Sequence, residues 1–517
     1  MAKIRKPQDG DAPEDAHPPE EGSDVAELVR RALATGSTGR RIMVFQRGAD
    51  KTALATLRDK AGVAMVSTAD AGGAQLTASD IGDGGLFLDK IGIGIAPMDS
   101  SQTASVAAAG ADNGVRFSRP ERLIYAVGNT APPGGSAPFG PTPGMPPIWT
   151  PQMPVPPLPM NGLSPEYLIG YRDAIIRFVD GLLGTGPTGT FGGPVAFSPI
   201  AFKGGAQQAA DNSSNYADTP VATWGLQAIK VFDPPFQSSF SGQGVRVAVL
   251  DTGLDLGHPD FQDGRVTQTQ SFVGSSVQDG HGHGTWCAGV AFGTRTPGQG
   301  PRYAVAYGTQ LCIGKVLLDS GSTAGQGTEM SLFQGLNWAI NLGCRVVSIS
   351  ISTGTPGHPG PPKADPAYDQ IGRAALENNV ALIAAAGNDS IRPGYIAWVG
   401  QPANSVGFMS VGAVDYRLRI APFSDAAVPG TDGAVDVVGP GVDCYGPWPR
   451  PTLYQPKMSG TSMATPHVAG IAALIAEARP EYRAADILNA IMMLADPLSQ
   501  PSSDVGKGIA QAPADDT

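Results

Sequence analysis

Apolar residues in the second half of the chain gather in short, nearly unbroken runs rather than alternating with polar ones, and each run ends on a small or polar residue. Residues 245–250 and 380–386 are of this kind, and residues 311–316 and 344–347 read similarly as strands. A strand covered by helices on both faces of a parallel sheet has this pattern, because neither of its faces meets water. A further apolar run, 468–476, follows a glycine-flanked turn and reads as a helix. Together they predict an α/β fold, a mostly parallel sheet flanked by helices. Open sheets of this class place their sites beyond the carboxyl ends of the strands. Asp251 closes one such run, and Asn388 follows another across Gly387.

The first half reads differently. A strand over 41–46, a helix over 51–61 with Leu54 and Leu57 on one face, a strand over 91–95, a helix over 103–109 and a strand over 122–127 predict a small α+β domain spanning 39–128. Before it, residues 7–24 hold seven acidic groups and no Lys or Arg, a composition that cannot bury a core, so residues 1–38 are expected to be disordered. Residues 129–218 read as a Pro- and Gly-rich linker that opens with an extended stretch over 132–159. Within it an amphipathic helix is predicted over 164–183, capped by Ser164 with Pro165 in its first turn and with Leu168, Tyr171, Ile175 and Phe178 on one face. The main unit then runs over 219–497, and 498–517 are expected to form a disordered tail.

A chain of 517 residues that is 41% hydrophobic has room for one large core and a smaller domain, while 69 Gly and 47 Pro imply much loop. A formal charge of −11 without a basic stripe argues against a nucleic-acid partner. No apolar run approaches membrane-spanning length, so no membrane partner is expected. The N-terminal residues lack the apolar core of a secretory signal, which points to a cytoplasmic location, with secretion by a non-classical route as the alternative. The cysteines Cys287, Cys312, Cys344 and Cys444 show no paired spacing and are expected as buried free thiols.

Four segments carry the chemistry. Ser459-Gly-Thr-Ser-Met-Ala-Thr-Pro-His-Val-Ala-Gly470 sets Ser462 on a turn at a helix start, where free N–H groups and the helix dipole favour a developing anion. Upstream lie Val247-Ala-Val-Leu-Asp-Thr-Gly253, Gly280-His-Gly-His-Gly-Thr-Trp-Cys-Ala-Gly289 and Ala384-Ala-Ala-Gly-Asn388. Singly, Asp-Thr-Gly is an ordinary turn, and Asn after Gly is as often a turn residue as a functional one. Asp279, His281 and His283 could also be taken as zinc ligands, but no matching ligand set occurs elsewhere. In order they supply an acid, a base, an amide and a nucleophile, and the order Asp, His, Ser along the chain is that of subtilisin. Over residues 219–495 the chain therefore resembles the subtilisin-like serine proteases (subtilases, peptidase family S8).

That resemblance implies a subtilisin-like three-layer fold and a serine endopeptidase. Asp251 would orient His283, His283 would act as general base for Ser462 and then as general acid, and Asn388 would help to stabilise the oxyanion. His283 is preferred to His281 because the Gly-Thr of the family pattern follows it. Ser350, Ile351, Ser352, Thr353 and Gly354 would form the edge that pairs with an extended substrate, and Asp389 would lend the pocket for the residue before the cut an acidic side. No cofactor would be needed for the chemistry, and Asp260 stands where a structural calcium ligand often lies. The small domain resembles the inhibitory propeptide of the family, the alternative being a substrate- or partner-binding module. The expected partners are a protein or peptide substrate and the chain's own N-terminal domain. Departures include Trp286, where a second histidine is usual, and the long 129–218 segment, which puts the expected maturation cut within 204–218. Cys287, one helical turn after His283, is expected as a small buried hydrophobe, the alternative being a thiol whose modification would obstruct the site, and oxidation of Met463 should impair activity. The rival readings are a protease dedicated to one cognate intracellular protein and a pseudoprotease scaffold, although the loss of a catalytic residue that would mark a scaffold is absent.

Overall fold

A computed structural model describes residues 24–46, 48, 51–71, 81, 84–109, 114–127, 215–232, 238–354 and 359–515. The linker helix expected over 164–183 lies outside the described residues. The described chain opens with helix α1 (Asp24–Thr35), followed by β1 (Arg40–Phe45), α2 (Lys51–Ala61), β2 (Met65–Ser67), β3 (Gly85–Leu88), β4 (Ile93–Pro97), α3 (Ser100–Ala109), β5 (Val115–Pro120) and β6 (Leu123–Ala126). Five of these strands form one sheet in the order β2-β3-β4-β1-β5. Its inner face and the two helices α2 and α3 close a core around Met43, Phe45, Leu57, Phe87 and Val106.

Two expectations are corrected here. The strand expected over 122–127 is not part of this sheet: β5 takes the edge beside β1, and β6 pairs elsewhere. An apolar run of this length fits any buried strand, and nothing in its periodicity tells which sheet receives it. Nor are residues 24–38 disordered. The acidic stretch ends where α1 begins, and the spacing of Ala26 and Val29 lays both on one helical face, which is buried against Val273 and Leu318.

The main unit adds β7 (Arg246–Asp251), β8 (Val266–Ser271), α4 (His283–Phe292), β9 (Gln310–Lys315), β10 (Gln326–Thr328), α5 (Glu329–Asn341), β11 (Val346–Ile349), β12 (Ile351–Ser352), α6 (Pro366–Glu377), β13 (Ala381–Ala385), β14 (Phe408–Val414), β15 (Val437–Pro440), α7 (Thr461–Ala478) and α8 (Ala484–Leu494). Seven strands in the order β15-β14-β13-β11-β7-β9-β8 make an all-parallel sheet. Its central strands are buried at nearly every position, as their apolar runs require. Helix α7 is buried from Thr461 to Ala476 and carries Ser462 into the interior. The expected disordered tail is also corrected. Ile509 bridges to Val438, Ala510 donates to the Val438 carbonyl, and both residues are buried, so the C-terminal segment extends the sheet edge at β15. Its apolar residues Val505, Ile509 and Ala510 supply the burial that a purely polar tail would lack.

Candidate active site

Asp251 is the last residue of β7, and His283 is the first of α4, set by a turn in which Gly282 has φ 102°. A Cβ at Gly282 would lie 2.4 Å from the Trp448 ring, so both the backbone and the space require glycine. His283 Nδ1 lies 2.7 Å from Asp251 Oδ1, and both side chains are buried. The Asp251 carboxylate also accepts from the Thr252 N–H at 2.8 Å. Asp279 organises the loop between them. Its carboxylate accepts from the N–H groups of His281, Gly282 and Thr285 and from the hydroxyls of Thr252 and Thr285. Burial pushes the Asp279 carboxyl up, but these donors outweigh it and hold the group below its usual range. Asp279 is thus a loop brace, and the zinc reading of this stretch has no role left to explain.

For His283, burial works to lower the pKa, while Asp251 and then Cys287 raise it, and the net result stands well above the usual imidazole value. Asp251 therefore favours the imidazolium over neutral imidazole. His283 Nε2 is buried and has no hydrogen-bond partner among the described residues, leaving it open to accept a proton. Ser462, in the first turn of α7, donates its hydroxyl to the Ser350 carbonyl at 3.4 Å. Cys287 Sγ stands 3.9 Å from His283 Nδ1 and 3.7 Å from the Ser462 carbonyl, fully buried in the same cluster. Met463 is likewise fully buried.

Asn388 follows Gly387, whose φ of 123° suits only glycine, at the end of the β13 turn. Its Oδ1 accepts from the Thr461 N–H at 2.8 Å and the Thr461 hydroxyl at 2.9 Å. With the oxygen so fixed, the amide nitrogen must point the other way, and Nδ2 donates to the Val127 carbonyl at 3.2 Å. The Val127 N–H donates to the Ser350 carbonyl at 3.0 Å. Behind Val127, β6 pairs antiparallel with β12 on one side, Ile351 opposite Ala126 and Ser352 opposite Tyr125. On its other side it pairs with β10, Gly327 opposite Ile124. The expected substrate edge thus holds a strand of the same chain. Thr353 and Gly354 lie just past this pairing. The Thr353 N–H donates to the Gln401 carbonyl and the Gly354 N–H to Ser352 Oγ, so these two shape the edge without pairing with β6.

Asp389 does not act alone beside this site. Its N–H donates to Asp425, which also accepts from the Ser390 N–H and hydroxyl. Burial and then the neighbouring Asp389 push the Asp425 carboxyl up to about 8. Asp260 does not fit a calcium ion. Its carboxylate is saturated by the hydroxyls of Tyr303 at 2.5 Å and Tyr454 at 3.1 Å and by the Gly298 N–H at 3.0 Å, donors that compete with a cation for the same lone pairs.

Sequence reasoning missed Val127 as an occupant of the site and Thr461 as the residue that orients Asn388. Thr461 could have been found, since it lies next to the nucleophile on the same turn.

A buried carboxylate–imidazole pair, a helix-start hydroxyl and a fixed amide beside a strand-binding edge can together perform acyl transfer on a peptide. A family model described as the subtilase family, Peptidase_S8, matches residues 242–509. M-protease of Shouchella clausii (strain KSM-K16) is 34% identical over 294 residues, 56% of this chain and 69% of its own length. Subtilisin Savinase of Lederbergia lenta shares 34% over 294 residues, 97% of its length, and Thermitase of Thermoactinomyces vulgaris 32% over 286 residues, 92% of its length. The chain belongs to the subtilase family and is a serine-type endopeptidase.

Proposed function

We propose that the endopeptidase works through Asp251, His283 and Ser462 and is made as a precursor inhibited by its own N-terminal domain. Ser462 Oγ attacks the scissile carbonyl as His283 Nε2 takes its proton, and His283 then returns that proton to the leaving amine. Asp251 holds the imidazole by Nδ1 and stabilises the transient imidazolium. Asn388 Nδ2 and the backbone N–H of Ser462, in the first turn of α7, receive the oxyanion. Water then hydrolyses the acyl-enzyme.

One observation carries the inhibited-precursor reading: the Val127 carbonyl rests on the Asn388 amide while the Val127 N–H bonds to Ser350. A residue whose carbonyl accepts from the oxyanion-binding amide while its N–H is held by the substrate edge has the placement of the residue before the cut. Val127 is therefore the residue before the cut, and the first bond to break is Val127–Gly128 rather than one within 204–218. Partner strands on both sides of β6 explain how the cleaved domain would stay and inhibit.

The test is the intact mass and N-terminal sequence of purified wild type beside Ser462→Ala. Wild type should yield a fragment beginning at Gly128, and Ser462→Ala should remain whole, with activity on casein lower by about 10⁶-fold, the scale seen when the nucleophile of subtilisin is removed. A fragment starting elsewhere would overturn the register, and cleavage in Ser462→Ala would overturn the nucleophile.

A further inference from the structure

The chain just before β6 is held by charge as well as by main-chain bonds, among them the Glu329 N–H donating to the Arg122 carbonyl at 3.1 Å. Arg122, the residue preceding β6, donates from Nη1 to Gln401 Oε1 at 2.6 Å and lies 3.2 Å from Asp365 Oδ2. Its backbone N–H donates to Glu329 Oε2 at 2.8 Å. Arg119 is buried against the same two acids, bidentate to Glu329 at 2.6 and 2.8 Å and 2.5 Å from Asp365. Burial works to lower the Arg119 pKa, and Glu329 and Asp365 more than reverse this. The acceptors are fixed from behind. Glu329 opens α5, Asp365 caps α6 by accepting from the Ala367 N–H at 2.9 Å, and Gln401 is held by its Nε2 donating to the Lys363 carbonyl at 2.9 Å.

Counting back from the Val127–Gly128 bond, Arg122 is the sixth residue and Arg119 the ninth. We propose that Asp365, Gln401 and Glu329 are specificity-determining residues, which make the enzyme prefer extended segments carrying arginine at the sixth position before the cut, with a second favourable place at the ninth. The proposal rests on reading β6 as a substrate-like strand. The main-chain pairing of β6 with β10 and β12 is blind to sequence and leads any extended segment out of the cleft toward these acids. A segment with a neutral or acidic side chain there would cover Asp365 without supplying a counter-charge, whereas a guanidinium matches both the carboxylate and the amide oxygen beside it. The class of substrate is thus a protein segment with arginine upstream of a small aliphatic residue.

Three acetylated p-nitroanilides test this: Xaa-Leu-Ile-Tyr-Ala-Val with Xaa as Arg, Gln or Glu. They are offered to the full chain after self-cleavage and once casein activity shows that the small domain has left, its active sites counted with a fluorophosphonate. Arginine should raise kcat/KM about tenfold over glutamine, the scale of one charge-assisted hydrogen bond, with glutamate lower still. The preference should shrink in 1 M salt and in Asp365→Asn, whose amide oxygen can still accept from the Ala367 N–H and cap α6. Equal kcat/KM for all three peptides would overturn the proposal and leave the function standing. Release from none of them would overturn the substrate-like reading of β6, and this inference with it.

Discussion

The segment from Arg119 to Val127 is held at its two ends by different physics. At Val127 the bonds are all to backbone or to a neutral amide, with Ser350, Asn388 and the two flanking strands as partners. At Arg119 and Arg122 two guanidinium groups meet two carboxylates, most of them out of water. The first arrangement suits an enzyme that must accept many sequences and release each product, since main-chain bonds form with any segment. The second suits retention of one particular partner, because a buried charge cannot leave without its counter-charge being rehydrated. The contrast separates binding that is blind to sequence from binding that selects charge along a single run of chain. Each end can therefore be broken alone.

The largest effect is expected at the charged end. Arg119→Met would leave Glu329 and Asp365 facing an apolar side chain, and breaking a buried ion pair from one side costs about 3–5 kcal/mol. The small domain should then leave the catalytic unit far sooner, seen as a shorter delay between self-cleavage and the appearance of casein activity. Pairing Arg119→Met with Glu329→Gln should recover part of the loss, because the stranded charge and not the missing contact carries most of the cost. A delay unchanged in Arg119→Met would mean that the ion pairs do not retain the domain.

At the neutral end, Asn388→Ala should lower kcat by about 10²–10³-fold with little change in KM, as loss of the corresponding donor does in subtilisin. The same variant removes the acceptor of the Thr461 N–H and hydroxyl, so a drop in KM-independent rate alone would not separate oxyanion binding from a loosened turn. Asn388→Asp separates them: it keeps an acceptor for Thr461 but replaces the donor with a charge, and should be at least as slow as the alanine variant. Near-wild-type kcat in Asn388→Asp would remove Asn388 from the chemistry.

The two ends also differ in how far they could be read from sequence. Asp251, His283, Asn388 and Ser462 each follow an apolar run or open a helix, and the strand order brings those ends together, so local pattern sufficed to nominate them. The strands of the central sheet were legible for the same reason, since burial on both faces writes an unmistakable composition. Arg119, Glu329 and Asp365 were not legible. Each is an ordinary charged residue in its own neighbourhood, and their meaning lies in pairings between positions more than 200 residues apart, such as Arg119 with Glu329. Helix α1 escaped for a related reason. Its buried stripe is Ala26, Val29 and Ala32 with Val25 beside it, short and directly after an acidic run whose composition masks it.

The smallest effect is one of pH, and it sets the two ends in opposition. At the catalytic end, Asp251 and Cys287 raise the His283 pKa above its ordinary value of about 6.5 despite burial. Attack needs the neutral imidazole, so hydrolysis should fall as pH drops through that raised pKa, by at most about tenfold per pH unit, with the acid limb above 6.5. Stability runs the other way. A group whose pKa is raised by folding contributes fully below its unfolded value, and the contribution is lost as pH rises through the folded pKa. The Asp251–His283 pair should thus stabilise the fold most where the enzyme works least. Melting of Ser462→Ala, which cannot digest itself, compared with Ser462→Ala/His283→Gln, isolates the term: the difference between the two should shrink as pH rises above 6.5. None of the residues named at the charged end, Arg119, Arg122, Glu329, Asp365 and Gln401, is a histidine, the residue type that ordinarily changes charge near neutral pH. Near neutrality pH should tune the rate of cutting while leaving retention of the small domain level. A delay that instead tracked the acid limb of hydrolysis would show that one process, not two, governs release.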